Sequence, residues 1–209
     1  MTTLSQILES KIVAIIRGAD PDDVLKIINA LFDGGIRVFE ITLNSPKALP
    51  VIEEAAKEVG DKMLVGAGTV MDAETARAAL LAGAKFIISP SLNIETIEMT
   101  KRYGAVSIPG AFTPTEIVTA YVNGADVIKV FPASIGIQYF KDLRGPLPHI
   151  PMMPTGGINL ENIIEFQKAG AVAFGIGSAL VDTKHEATKE YLQQLTDKAR
   201  KFVKAVSNS

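Results

Sequence analysis

Three charged side chains lie inside runs that are otherwise built from apolar, β-forming residues. They are Arg17 in Val13-Ala14-Ile15-Ile16-Arg17, Glu40 in Val38-Phe39-Glu40-Ile41-Thr42, and Lys129 in Val127-Ile128-Lys129-Val130-Phe131. An amine on a central apolar strand has a depressed pKa, which leaves a neutral nucleophile for a carbonyl carbon. A carboxylate close by can protonate a carbinolamine hydroxyl and later exchange a proton on the substrate carbon. Strand alternation puts Val127, Lys129 and Phe131 on one face, and does the same for Val38, Glu40 and Thr42 and for Val13, Ile15 and Arg17. All three charges are therefore compatible with one mouth. The plainer alternative is a buried ion pair in which Glu40 only neutralises Lys129 or Arg17. Burying such charges unpaired costs on the order of several kcal/mol each, so their presence needs one explanation or the other. Arg37 and Asp126, at strand entries, are expected to be solvated.

Two glycine-rich stretches follow later strand-like runs: Pro154-Thr155-Gly156-Gly157-Ile158-Asn159 and Gly175-Ile176-Gly177-Ser178-Ala179. Glycine lets backbone amides approach a ligand, and a helix expected after each stretch adds N-terminal amides that favour negative charge. These stretches predict a phosphate or carboxylate site, against the alternative of simple tight turns. Gly66-Ala67-Gly68-Thr69 closes a third run; there Thr69 either donates to a carboxylate or caps the next helix, and Phe131 either walls the pocket beside Lys129 or is plain packing. His149 and His185 fall near helix ends or in loops away from the mouth, and the chain has no cysteine. No convergent metal-ligand cluster is expected, and no cofactor.

These groups need a scaffold that brings strand ends together. Eight runs qualify as strands: residues 12–17, 38–43, 63–67, 86–89, 106–109, 127–131, 152–154 and 173–176, nearly continuous in apolar residues as parallel strands covered on both faces are. Helical patterns fill the gaps. Asp20-Pro21, Ser45-Pro46, Asp72 and Thr113-Pro114 read as helix starts, and Gly34-Gly35, Gly83, Gly124 and Gly170 as stops. The pattern predicts an α/β fold, a single (β/α)8 TIM barrel over residues 1–209, with an extra helix at 4–10 and a long final one at about 186–206. A doubly wound open sheet is the competing architecture.

Net charge is −2, with no basic excess of the kind a nucleic-acid surface brings. No run is long and apolar enough to span a membrane, and the N-terminus does not read as a signal peptide, so a cytoplasmic enzyme is expected.

Taken in order, Val13 to Arg17, Phe39-Glu40-Ile41-Thr42, Val65 to Val70, Ile88-Ser89-Pro90, Ile128 to Ala133 and Pro154 to Ile158 resemble the 2-keto-3-deoxy-6-phosphogluconate / 4-hydroxy-2-oxoglutarate aldolases along almost the whole chain. The resemblance implies a homotrimer that cleaves a 4-hydroxy-2-oxo acid to pyruvate and an aldehyde. By motif, Lys129 is similar to the family's Schiff-base lysine and Glu40 to its acid/base. Thr69, with Arg17 nearby, matches groups that hold the carboxylate. Thr155, Gly156, Gly157, Gly177 and Ser178 match the distal phosphate site, and Pro90 and Phe131 the pocket walls. One position departs. Many phosphogluconate aldolases carry a carboxylate-holding arginine four residues after the glutamate; this chain has Asn44, in an Asn-Ser-Pro sequence similar to relatives acting on the 6-phosphogalactonate epimer. The alternatives kept are that epimer as substrate, or a phosphate-binding barrel isomerase or epimerase.

Overall fold

A computed structural model describes residues 1–207; the last two positions of the expected 1–209 domain lie outside the described residues. The strands are β1 (Ile12–Ile16), β2 (Val38–Thr42), β3 (Leu64–Gly68), β4 (Phe86–Ile88), β5 (Val106–Ile108), β6 (Gly110–Ala111), β7 (Ile128–Val130), β8 (Met152–Pro154) and β9 (Phe174–Ile176). Between and around them run α1 (Thr3–Ser10), α2 (Pro21–Asp33), α3 (Ala48–Val59), α4 (Ala73–Leu81), α5 (Ile94–Arg102), α6 (Pro114–Val122), α7 (Ile137–Arg144), α8 (Ile163–Lys168) and α9 (Lys189–Ser207). The result is an α/β fold with parallel sheets, one ordered β5-β4-β3-β2-β1-β9 and the other β6-β7-β8. The fifth expected run is divided between them at Pro109, which has no amide hydrogen to give a neighbour but whose carbonyl accepts from the Lys129 amide at 2.9 Å. On the other side, a parallel bridge joins Thr155 to Gly175, and the Val172 amide donates to the Met152 carbonyl.

Most helix starts follow from the local sequence. Asp20 accepts from the Asp22 amide ahead of Pro21, Asp72 accepts from Thr75, and Thr113 forms a reciprocal capping box with Glu116. The α3 start differs from expectation. That helix begins at Ala48 after Lys47, a left-handed residue whose side chain makes no capping bond. Ser45 is engaged elsewhere: its hydroxyl lies 2.9 Å from Thr42 Oγ1 and accepts from the Gly18 amide at 2.8 Å. The final helix begins at Lys189 rather than Glu186. Arg37 and Asp126 are not simply solvated either. The Arg37 guanidinium donates to the Phe32 and Ile36 carbonyls, while Asp126 pairs with Lys101 at 2.7 Å and accepts from the Ser107 amide. Each cancels its desolvation by binding groups left open at an element end.

The strands bury both faces. Ile12, Ala14, Phe39, Ile41, Ile128 and Val130 pack outward against helices. Their alternates Val13, Val38, Leu64, Phe86, Val106, Val127 and Met153 form a separate inner cluster, joined by Ile7 of α1. Because Val13, Val38 and Val127 share that cluster, the residues two positions further along each strand lie one level nearer the carboxyl ends. Those residues are Ile15, Glu40 and Lys129.

Candidate active site

At the carboxyl ends the strands surround a cavity of about 470 Å³. Ile15 and Arg17 reach it from β1, Thr69 from the turn after β3, Pro90 from the turn after β4, and Lys129 and Phe131 from the β7 strand and its end. Thr155 to Asn159 line it beyond β8, and Gly175 and Gly177 to Ala179 at and beyond β9. Every residue expected at the site lines this cavity except Glu40 and Asn44.

Glu40 is fully buried. Across the sheet its registered neighbours are Ile15 on β1 and Gly66 on β3, neither with a polar side chain. Space for its carboxyl is made by Gly68, where an added Cβ would overlap the carboxyl atoms. Both carboxyl oxygens lack a hydrogen-bond partner. Desolvation therefore pushes its pKa up, only partly opposed by the positive charges of Lys129 and Arg17, to about 7 from an ordinary value of 4.5. This is the opposite of a structural ion pair, in which a carboxylate is held down by direct contact with its cation. We expect Gly68→Ala to lower unfolding free energy by about 1–3 kcal/mol, as overpacking does, and to reduce turnover by displacing the carboxyl. Chemical denaturation and an activity assay on the same variant check both.

Lys129 is 3% exposed, between Gly110 on β6 and Met153 on β8. Its Nζ lies 5.0 Å from the centre of the Phe131 ring. Desolvation lowers its pKa below the usual lysine value; the Glu40 charge works against that shift and the Arg17 charge with it. Burial thus moves acid and amine toward each other, the condition for passing a proton between them near neutrality.

Thr69 holds φ +56°, a left-handed conformation that costs a non-glycine residue about 1–3 kcal/mol. It does not cap α4, whose cap is Asp72, so its hydroxyl is left for the cavity it lines. The loop after β8 turns through Gly156 and Gly157 at φ +82° and +83°, and the Asn162 side chain pins it by donating to the Gly157 carbonyl at 2.8 Å. The stretch after β9 does not run into a helix as expected. It makes one turn, with the Leu180 and Val181 amides donating to the Gly177 carbonyl, and α9 starts only at Lys189. Its capacity for an anion therefore rests on the Ser178 hydroxyl and local backbone. Asn44 accepts from an Arg17 guanidinium nitrogen at 3.1 Å, beside the cavity. Sequence reasoning did not single out Ser45 as the partner of the Gly18 amide or Thr183 as the partner of Arg17; the Thr183 hydroxyl donates to the Arg17 carbonyl at 2.6 Å across 166 positions of sequence, a separation no local motif reveals.

The histidines lie apart from this cavity. His149 meets the edge of Tyr121 at 5.6 Å between ring centres, and His185 stands 3.6 Å from Asp182.

Residues 4–196 match the family described as KDPG and KHG aldolase. The 2-dehydro-3-deoxy-6-phosphogalactonate aldolase of Escherichia coli (strain K12) is 37% identical over 93% of this chain and 93% of its own. A structure described as native KDPGal superposes with a TM-score of 0.87 at 36% identity, covering 94% of each chain. The KDPG aldolase of Legionella pneumophila, solved with pyruvate captured at low pH as a covalent carbinolamine, superposes equally well (TM-score 0.87) at 29% identity over 95% of this chain and 97% of that one. A buried lysine and a buried glutamate toward the carboxyl ends of the strands of a parallel α/β fold thus come with likeness along nearly the full chain, and this protein belongs to the KDPG and KHG aldolase family of carbon–carbon lyases.

Proposed function

We propose that this enzyme is a class I aldolase that cleaves a 2-keto-3-deoxy-6-phospho sugar acid to pyruvate and glyceraldehyde 3-phosphate through a Schiff base on Lys129. The observation that carries the reading is the pair of oppositely displaced groups: a buried amine made less basic and a buried carboxyl raised to about 7. In its neutral form Lys129 Nζ attacks the substrate C2 carbonyl, and the Glu40 acid gives the proton that lets the carbinolamine hydroxyl leave as water. The iminium so formed accepts the electron pair of the C3–C4 bond as the Glu40 carboxylate, directly or through water, takes the proton of the C4 hydroxyl and the aldehyde departs. Glu40 then returns a proton to the enamine C3, and hydrolysis of the imine frees pyruvate and the amine. A carboxyl near pKa 7 serves both directions of this traffic at neutral pH.

Arg17 and Thr69 are assigned to the carboxylate end, and Thr155, Gly156, Gly157, Gly177 and Ser178 to the phosphate, with Pro90 and Phe131 as walls. We take the two sheets to close into one (β/α)8 barrel on a single domain, supported by the Thr155 to Gly175 bridge on one side and the continuous 106–111 run on the other. The resemblance implies a homotrimer, and exposed Val118, Tyr121 and Val122 on α6 offer an apolar patch for a subunit interface.

The phosphogluconate epimer and 4-hydroxy-2-oxoglutarate are one substrate reading; the phosphogalactonate epimer is a second, favoured by Asn44 and by the 37% identical relative that acts on it. Borohydride added with pyruvate should fix one pyruvyl group on Lys129, read by peptide mass. Absence of that adduct points to a non-covalent isomerase or epimerase instead. Comparing kcat/KM on the two phosphorylated epimers and 4-hydroxy-2-oxoglutarate then identifies the substrate, with the galactonate form expected to be turned over best.

A further inference from the structure

Arg17 follows the last residue of β1 and is exposed, on a side chain with many rotamers. A free surface arginine loses much of its rotamer freedom when it is fixed on a ligand. Here it is held at three places by two loops far apart in sequence. Its guanidinium donates to Asn44 Oδ1 at 3.1 Å, and its carbonyl accepts from the Thr183 hydroxyl at 2.6 Å. The next amide, Gly18 N, donates to Ser45 Oγ at 2.8 Å. Ser45 is itself tied back to Thr42, two residues after Glu40 on β2.

We infer that Asn44, Ser45 and Thr183 are positioning residues: they hold the Arg17 guanidinium ready for the substrate carboxylate, and so set affinity for the pyruvyl end without touching substrate. The inference deepens the aldolase reading above and rests on it. The arrangement gives Asn44 a use its position would otherwise lack. It is absent from the cavity wall and carries no charge, so it binds the arginine and leaves the anion to it. An oxygen acceptor that is neutral fixes a guanidinium while leaving its positive charge unspent, whereas a carboxylate there would pair with it and compete with the ligand. Gly18, at φ +69° with open space where a Cβ would stand, lets the chain turn so that its amide faces Ser45.

The test uses pyruvate alone, which has the carboxylate end and no phosphate. The half-saturating pyruvate concentration for borohydride trapping on Lys129 should rise about tenfold in Asn44→Ala, the equivalent of about 1.4 kcal/mol. KM for the cleaved substrate should rise in parallel while kcat stays within about twofold, because the reacting groups are intact. Thr183→Val should show a smaller rise of the same kind, and Thr183→Ser, which keeps the hydroxyl, should restore it. Arg17→Ala combined with Asn44→Ala should be no weaker than Arg17→Ala alone, since Asn44 acts only through the arginine. Asn44→Asp should also weaken pyruvate, by adding a competing charge. Additive losses in the double variant, or a fall in kcat with half-saturation unchanged, would overturn the inference. An unmodified Lys129 in the wild-type protein would instead sink the aldolase reading itself, so the two failures are separable.

Discussion

Lys129→Met is expected to remove cleavage activity by on the order of 10⁴-fold or more, the scale seen when the nucleophile of a catalytic group is deleted. The protein should remain folded, with a thermal midpoint equal to or above that of the wild type. Both halves follow from one fact, an amine 3% exposed among apolar side chains. Its retention costs stability, since desolvation opposes its charged form, the Glu40 charge offsets this only in part, and among the described residues it makes no direct ion pair. Methionine fills nearly the same volume and removes the buried charge, and such replacements are often neutral or stabilising. The chemistry has no such substitute: without the amine there is no iminium to accept the C3–C4 electrons, and Glu40 alone cannot create one. Pyruvate release read by coupling to lactate dehydrogenase, beside a thermal melt, checks the pair. Residual turnover near the wild-type value would mean that bond cleavage does not pass through Lys129. A collapsed fold would mean that the lysine is there for structure.

How far the sequence could be read differs by distance along the chain. The strand positions were legible because a strand buried on both faces leaves a dense apolar run, and an interrupting Glu40 or Lys129 then stands out. The common face was legible too, since alternation is a property of each strand by itself: Val13, Val38 and Val127 meet in one cluster, and that puts Ile15, Glu40 and Lys129 on the next level. What lay outside reach depended on long-range partners. Ser45 looks like a helix cap from its neighbours, yet its hydroxyl is claimed by Gly18 and Thr42, so α3 begins three residues later. Asn44 reads as a ligand group by position, and the structure gives it to Arg17. Gly177 and Ser178 read as a helix entry; turns at 178–180 and 183–184 and a bend at 185 separate them from α9. Local chemistry names a residue's capacity, and only the fold decides which competing partner receives it.

Glu40→Gln is expected to divide activity from stability along a pH axis. Glutamine keeps the shape and loses the transferable proton, so kcat should fall about 10²- to 10⁴-fold, the usual worth of a positioned acid/base. The stability effect has a definite sign. The folded carboxyl titrates near 7 and the unfolded one near 4.5, so between those values the folded protein holds a proton that the unfolded chain has released. The Glu40 contribution is therefore fully present below about pH 4.5, is lost as pH rises through 7, and is flat above. A shift of this size corresponds to about 3 kcal/mol. Glutamine has nothing to titrate, so the unfolding free energy of the variant should gain on that of the wild type by about that amount between pH 4.5 and 7.5. Lys129 acts in the contrary sense: its lowered folded value favours the neutral amine, and stability from it grows as pH rises toward the unfolded value. The lysine is present in both proteins, so the comparison is made as the difference between them from about pH 4.5 to 7.5, by urea denaturation at matched salt. If the two proteins show parallel pH profiles there, Glu40 is ionised throughout in the fold, and a carboxylate with no proton to give cannot dehydrate a carbinolamine at neutral pH.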